Sequence, residues 1–421
     1  MNLNKSEQRN VTAQPSSVSQ IARKVPADVV VLLAGITAAL HVGKLPPAIP
    51  VLQQELGITL VQSGFLLSLV QLAGMLGGLV ISAFSDAFGL RRSILTGLLL
   101  LALASIVGGL ARSAEALLWL RGIEGLGFLM VTLSAPALIR KLVRPENLNL
   151  RLGWWSCYMG LGIGSALLLA PWVLAGVGWQ GWWWVLAAIS ILMLFAVLLY
   201  VPADRAQQQE GHAAVPGLGP IFRRLWKTLS HAGPWWIALT FAMYSSQWLA
   251  VVGFLPSIYV EAGLSGTVLG VLTALVALIN AMGNAVAGRL MHAGLSPVRL
   301  VYVGFIAMGV SAVVAFSGWS ADWPIVRYLA VLAFSGLGGI IPASLFALSV
   351  QIAPDKSTIS TSVGWMLQLS AIGQFVGPPV VAAVGTMVGG WQLTWVVTMI
   401  CSVAGVVFIG LVGRVVSAKL G

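Results

Sequence analysis

Lys44 closes the apolar run from Val29 to Val42 and is followed by Pro46, Pro47 and Pro50. Thr37, His41 and Lys44 stand at i, i+4 and i+7, one stripe on a helix. If that helix crosses a bilayer, a lysine facing lipid near its centre costs at least ~2.5 kcal/mol, so Lys44 should face protein or a watery cavity. A charge lining a cavity is one reading; an ammonium snorkelling to the interface is the other. Arg121 and Glu124, three residues apart, share a second helix face. Glu124 is the carboxylate that the sequence places well inside an apolar segment. Two cations and one carboxylate leave a net positive balance, which attracts an anion and sets a proton carrier beside it. His41 is a second proton carrier on this reading. The plainer alternatives are an ion pair of Glu124 with Arg121 or Lys44 that only ties helices together, and a hydrogen-bonded core histidine. A neutral set stands further along: Thr240, Tyr244 and Gln247 at i, i+4 and i+7, Asn280 and Asn284 one turn apart, and Gln368. These can bind a polar substrate or simply neighbouring helices.

The elements that hold these residues follow from composition. Of 421 residues 58% are hydrophobic and only 8% charged, where a soluble domain carries about 25% charged residues. Apolar stretches long enough to cross a membrane recur over the whole length. Twelve helical spans are predicted: 28–52, 60–84, 93–111, 115–139, 152–175, 182–202, 235–258, 265–290, 299–318, 324–348, 361–385 and 391–414. Their apolar character runs around the helix, unlike the two-residue alternation of barrel strands. The polar first 27 residues lack the apolar core of a signal peptide. Glu124 then lies ten residues, ~15 Å, into span four, a depth that Lys44 shares on span one.

The net charge of +11 does not signal nucleic acid. With the N-terminus in the cytoplasm, nineteen of the 23 basic residues fall in cytoplasmic segments, the exceptions being Lys44, Arg112, Arg121 and Arg327. The positive-inside rule therefore places both termini in the cytoplasm. The expected organisation is a tail (1–27), six spans (28–202), a linker (203–234), six spans (235–414) and a short tail (415–421). Within the linker, "IFRRLWKTL" puts Ile221, Phe222, Leu225, Trp226 and Leu229 on one face and Arg223, Arg224 and Lys227 elsewhere. That suits a helix on an anionic leaflet, a solvated loop being the alternative. Weak repeats relate the halves: "EGLGF" at Glu124 and "SGLGG" at Ser335, "PAI" at Pro47 and "PSI" at Pro256, and the eleven-residue spacing of Gly78–Gly89 and Gly283–Gly294. No HExxH, GxSxG, P-loop or clustered His/Cys pattern appears, so neither an enzyme nor an ATP-driven pump is expected, and no metal or cofactor.

Three motifs carry a family resemblance. "SAFSDAFGLRRS" (82–93) resembles the loop signature of the major facilitator superfamily through Asp86, Phe88, Gly89, Arg91 and Arg92, with Ser82, Ala87 and Leu90 departing from it. "RGIEGLG" (121–127) is similar to its Arg-x-x-x-Gly-x-Gly signature, and "GQFVGPP" (373–379) to its Gly-x-x-x-Gly-Pro signature. In span five the latter has decayed to "ALLLAPWVLA", which argues against drug/proton exchange. The stretch around Lys44 is similar to the branch containing cyanate and nitroimidazole transporters.

The resemblance implies an all-α polytopic membrane protein, twelve helices in two six-helix bundles around a central cavity lined by spans one, four, seven and ten. It implies a secondary transporter for a small polar or anionic solute, acting by alternating access and coupled to protons. The alternative is a proton-coupled exporter of amphipathic drugs. Substrate is expected at Thr37, His41, Lys44, Arg121, Tyr244, Gln247, Asn280, Asn284 and Gln368, with proton coupling at Glu124 or His41. Asp86 with Gly89, Arg91 and Arg92 is expected to latch the cytoplasmic side, while Gly373, Gly377 and Pro378 pack helices. The expected setting is a bacterial inner membrane, with the chain acting as a monomer and without nucleic acid.

Overall fold

A computed structural model describes residues 25–77, 89–204 and 218–420. Its helices long and apolar enough to span a membrane are Ala27–Leu56, Leu60–Gly77, Leu90–Gly108, Ala114–Leu142, Pro145–Tyr200, Ala232–Glu261, Gly266–His292, Pro297–Phe316, Pro324–Ile352, Ile359–Val388 and Thr394–Ala418. The 56-residue segment Pro145–Tyr200 is two spans. At Gly178 the backbone leaves the helix with φ 69°, a left-handed value that suits glycine. Ile163, before that point, packs on Gly43, while Ser190, after it, bonds His41. The chain therefore doubles back, and the spans among the described residues number twelve.

Local chemistry explains the ends. Thr59 and Gln62 form a reciprocal cap: Thr59 Oγ1 accepts from the Gln62 amide at 3.2 Å, and Gln62 Oε1 from the Thr59 amide at 2.9 Å. Span one breaks at Lys44 into Ala27–Gly43 and Leu45–Leu56. Pro46 and Pro47 fall in the first turn of the second piece, where a missing amide hydrogen leaves no bond unmade. The helices outrun the sequence-based spans by several residues, since polar turns beyond the hydrocarbon, such as Val51–Leu56, continue the helix.

Each six-helix half is built around the same pair. Span one packs on span five, where a Cβ on Gly43 would stand 2.8 Å from the Ile163 Cα. Span seven packs on span eleven, where side chains on Gly373 and Gly377 would collide with the carbonyls of Ala242 and Ser246. The Gly-x-x-x-Gly-Pro motif thus lets two backbones touch. A second repeat escaped the sequence reading. "VGWQ" (177–180) and "VGGWQ" (388–392) each contain a left-handed glycine, Gly178 or Gly389. In each half the tryptophan then donates to a glutamate ending the first helix, Trp179 to Glu55 at 2.8 Å and Trp391 to Glu261 at 2.9 Å.

At the end of the bundle opposite the termini the halves meet in an apolar cluster of Leu45, Ile49, Leu52 and Leu67 with Ala250, Phe254 and Val381. Gln71 and Gln374 bond each other at 3.0 Å across spans two and eleven, and Gln368 donates to the Met75 carbonyl at 2.9 Å.

Candidate functional site

Span one brings Lys44 and His41, span four Arg121 and Glu124, span three Ser105 and span six Ser190 to one point inside the first half. Each side chain is at most 2% exposed. The Lys44 ammonium pairs with Glu124 Oε1 and donates to Ser105 Oγ at 2.9 Å. Arg121 Nη1 donates to Glu124 Oε2 at 2.6 Å and to the His41 carbonyl at 2.6 Å, and its Nε to the Leu66 carbonyl at 2.9 Å. Ser105 donates to Glu124 Oε1 at 3.1 Å and stands 3.3 Å from His41 Nδ1; His41 Nε2 meets Ser190 Oγ at 2.8 Å. The tryptophans of span six close the far side. Trp182 Nε1 donates to the Lys44 carbonyl at 3.1 Å, and the Trp183 ring centroid lies 4.7 Å from the ammonium.

The local sequence builds this. Gly125 lets the Val70 carbonyl of span two approach, since a Cβ there would stand 2.6 Å from that oxygen. Beside the break at Lys44, the His41 and Lys44 carbonyls accept from Arg121 and Trp182.

One expectation changes here. Lys44 lines no open cavity and does not snorkel: it is wholly buried and paired. A carboxylate and a hydroxyl within reach offset the cost of taking the ammonium out of water. Trp182 and Trp183 are 1% and 2% exposed and wall the cluster, whereas Trp184 is 45% exposed. Ser105 and Ser190 were missed; a lone serine in an apolar helix resembles any small packing residue.

With His41 neutral the cluster carries two positive charges against one negative. Arg121 Nη2, buried, has no hydrogen-bond partner among the described residues. The site has room in its bonding for a further anion or for loss of a proton, and its single carboxylate touches both cations.

The neutral residues do not gather into one site. Asn280 Nδ2 donates to the Tyr244 hydroxyl at 3.0 Å and to the Ser335 carbonyl at 2.7 Å, and Trp248 donates to Ser335 Oγ at 3.0 Å, a knot between spans seven, eight and ten. Gln247 turns away to span twelve, accepting from Ser402 at 3.1 Å. Asn284 accepts from the Ala343 amide at 3.1 Å, and Gln368 reaches span two. Thr37 is buried one turn before His41. Each amide has found a neighbouring helix, the ordinary fate of a polar group in an apolar span.

Asp86 of the expected latch lies outside the described residues. Its partners are seen with another carboxylate: Asp204, at the end of span six, accepts from the amides of Arg91 and Arg92 at 3.0 and 3.1 Å, next to Gly89 with φ 102°. A carboxylate on the positive end of span three is favourable electrostatics, and it ties spans three and six. Pro378, beside Gly377, places its carbonyl and the Pro379 Cα against Gly64 of span two, where a Cβ would stand 3.0 and 2.8 Å away.

Comparison with known proteins gives the frame. Residues 31–378 match the Major Facilitator Superfamily. The 2-nitroimidazole transporter of Escherichia coli (strain K12) is 25% identical over 90% of this chain and 94% of its own length. The cyanate transport protein CynX of the same organism is 23% identical over 89% and 94%. The tetracenomycin C resistance and export protein of Streptomyces glaucescens is 28% identical, over 49% of this chain and 39% of its own length. Among solved structures, a bacterial homologue of the human lysosomal transporter Spinster, inward-facing and unoccupied, superposes with a TM-score of 0.71 at 17% identity, over 96% of this chain and 99% of that one. Twelve spans, two equivalent halves and a match over most of the length make this chain a membrane transporter, not an enzyme, and a member of the Major Facilitator Superfamily.

Proposed function

We propose that the chain is a secondary active transporter for a small polar or anionic solute, working by alternating access with Glu124 as the proton carrier. One observation carries this: a carboxylate buried between two cations, in a cluster with surplus positive charge. While Lys44 and Arg121 hold Glu124, it stays ionised. An anion that draws those cations toward itself strips the carboxylate of partners, and a lone carboxylate in apolar surroundings is stabilised by taking up a proton. Substrate binding and protonation are then one exchange. The cluster is sealed in this conformation by spans of its own half, so the exchange belongs to a conformation in which those spans have opened around it.

Two relatives that span most of the chain, the 2-nitroimidazole transporter and the cyanate transport protein CynX, are named for small solutes. Uptake into proteoliposomes of a panel including cyanate and 2-nitroimidazole, with and without an inward-acid pH gradient, tests the reading. Gradient-driven accumulation of a panel member supports it; transport of none, with drug efflux instead, supports the alternative. That second reading, export of amphipathic drugs, rests on the chloramphenicol resistance protein of Streptomyces lividans, 26% identical over 85% of this chain. We further infer a cytoplasmic membrane with both termini in the cytoplasm, from the charge asymmetry, and a monomer as the working unit.

A further inference from the structure

The linker helix Leu218–Leu229 keeps an apolar face that the described residues do not cover. Phe222 is 67% and Trp226 78% exposed, one turn apart, with Leu229 a turn further on and also exposed. The opposite side is docked. Lys227 pairs with Asp355 at 2.6 Å, and Thr228, buried, bonds Thr361 at 2.6 Å. Asp355 is held below the usual carboxylate range by Lys227 and Ser357, so it is ionised and the pair is charged on both sides. Arg223 and Arg224 are exposed; at 3.6 residues per turn Arg223 flanks the apolar face, and Arg224, on the side of Lys227 and Thr228, adds its charge to the same helix.

The position of the helix selects what can cover that face. The membrane span Ala232–Glu261 begins three residues after Leu229, and the Trp235 indole donates back to the Leu229 carbonyl at 2.9 Å. Ser230 bonds the Trp226 carbonyl at 2.6 Å. The helix is thus fixed within a turn of the hydrocarbon boundary, at the end of the bundle that carries Arg140, Lys141, Arg144 and Arg414. Aromatic side chains at headgroup depth with arginines beside them fit an anionic leaflet.

We propose that Phe222, Trp226, Arg223 and Arg224 form a binding surface for anionic phospholipid. The rings sink into the interface, the guanidiniums hold phosphate, and the Lys227–Asp355 and Thr228–Thr361 contacts carry that grip to the base of span eleven. Span eleven meets span two of the other half through Gln374 and Gln368, so the surface is linked to a contact between the halves.

The test places a single thiol at Trp226→Cys in the full chain with Cys157 and Cys401 replaced by serine. Nanodiscs are made of phosphatidylcholine alone or mixed with phosphatidylglycerol, and the reaction of the thiol with a membrane-impermeant maleimide is timed. The proposal predicts slow labelling with phosphatidylglycerol and fast labelling without it. Adding Arg223→Gln and Arg224→Gln should weaken the protection about thirtyfold, or about 2 kcal/mol at about 1 kcal/mol per basic residue. Equal rates in the two lipids overturn it, whether both are fast (a face in water) or both slow (a face covered by protein). So does protection that survives the loss of both arginines.

Discussion

The charge balance of the buried cluster makes a claim about single residues. Lys44, Arg121 and Glu124 sum to +1 with His41 neutral. Glu124→Gln leaves two cations uncompensated in hydrocarbon, and breaking a buried pair from one side costs about 3–5 kcal/mol. Lys44→Gln leaves a neutral Arg121–Glu124 pair and gives up hydrogen bonds to a charged group, about 1.5–3 kcal/mol. Lys44→Gln/Glu124→Gln restores +1 and should be more stable than Glu124→Gln alone, by a margin that simple addition misses. Thermal unfolding of the four proteins in detergent checks this. A double variant less stable than Glu124→Gln would mean that the two side chains do not compensate each other. The types and spacing of Lys44, His41, Arg121 and Glu124 were legible in the sequence because charge in an apolar span is rare. Their bonding was not: a helical stripe fixes a direction, while whether water or a carboxylate meets the lysine is decided by spans three and six, far off in the chain.

At the scale of elements, backbone contact is the main theme. Span seven lies on span eleven through Gly373 and Gly377, and Gly373→Val must displace the Ala242 carbonyl. Overpacking of this kind costs about 1–3 kcal/mol, which should appear as a lower unfolding temperature and a lower yield of folded protein; an unchanged transition would show that the two helices separate freely. A second prediction concerns the tie between spans three and six. Asp204→Asn keeps the shape but removes the charge facing the Leu90 helix start, and about 0.3–1 kcal/mol should be lost, read in the same assay. A loss no smaller in strong salt would contradict the electrostatic origin. The helices themselves were readable as apolar runs, and the glycine motif pointed to close packing. The neutral stripe of Tyr244 and Gln247 misled for a physical reason: amides and hydroxyls in a bundle satisfy one another, so their presence on one helix does not set where they point. The carboxylate capping span three, Asp204, lies 113 residues from its amide partner Arg91, and no local spacing announces it.

The whole molecule is two equivalent halves sealed together at one end, and its orientation is the first thing to test. Reporter fusions after Leu218 and after Gly421 should both report cytoplasm, because the basic residues cluster at that end; a periplasmic signal at either would reverse the proposed topology. Duplication was visible only faintly in sequence, as "EGLGF" against "SGLGG". The stronger copy, "VGWQ" against "VGGWQ", is offset by an inserted glycine and becomes obvious once Trp179–Glu55 and Trp391–Glu261 are seen at the same end of each half. What the halves do together turns on Glu124. The direct test uses proteoliposomes and a solute that the uptake panel identifies, comparing the parent with Glu124→Gln and with Lys44→Gln/Glu124→Gln, the latter guarding against a fold too weak to assay. The account predicts that counterflow exchange of solute persists in at least one of these variants while accumulation driven by a pH gradient is lost in both. Accumulation that continues without the Glu124 carboxylate would contradict it.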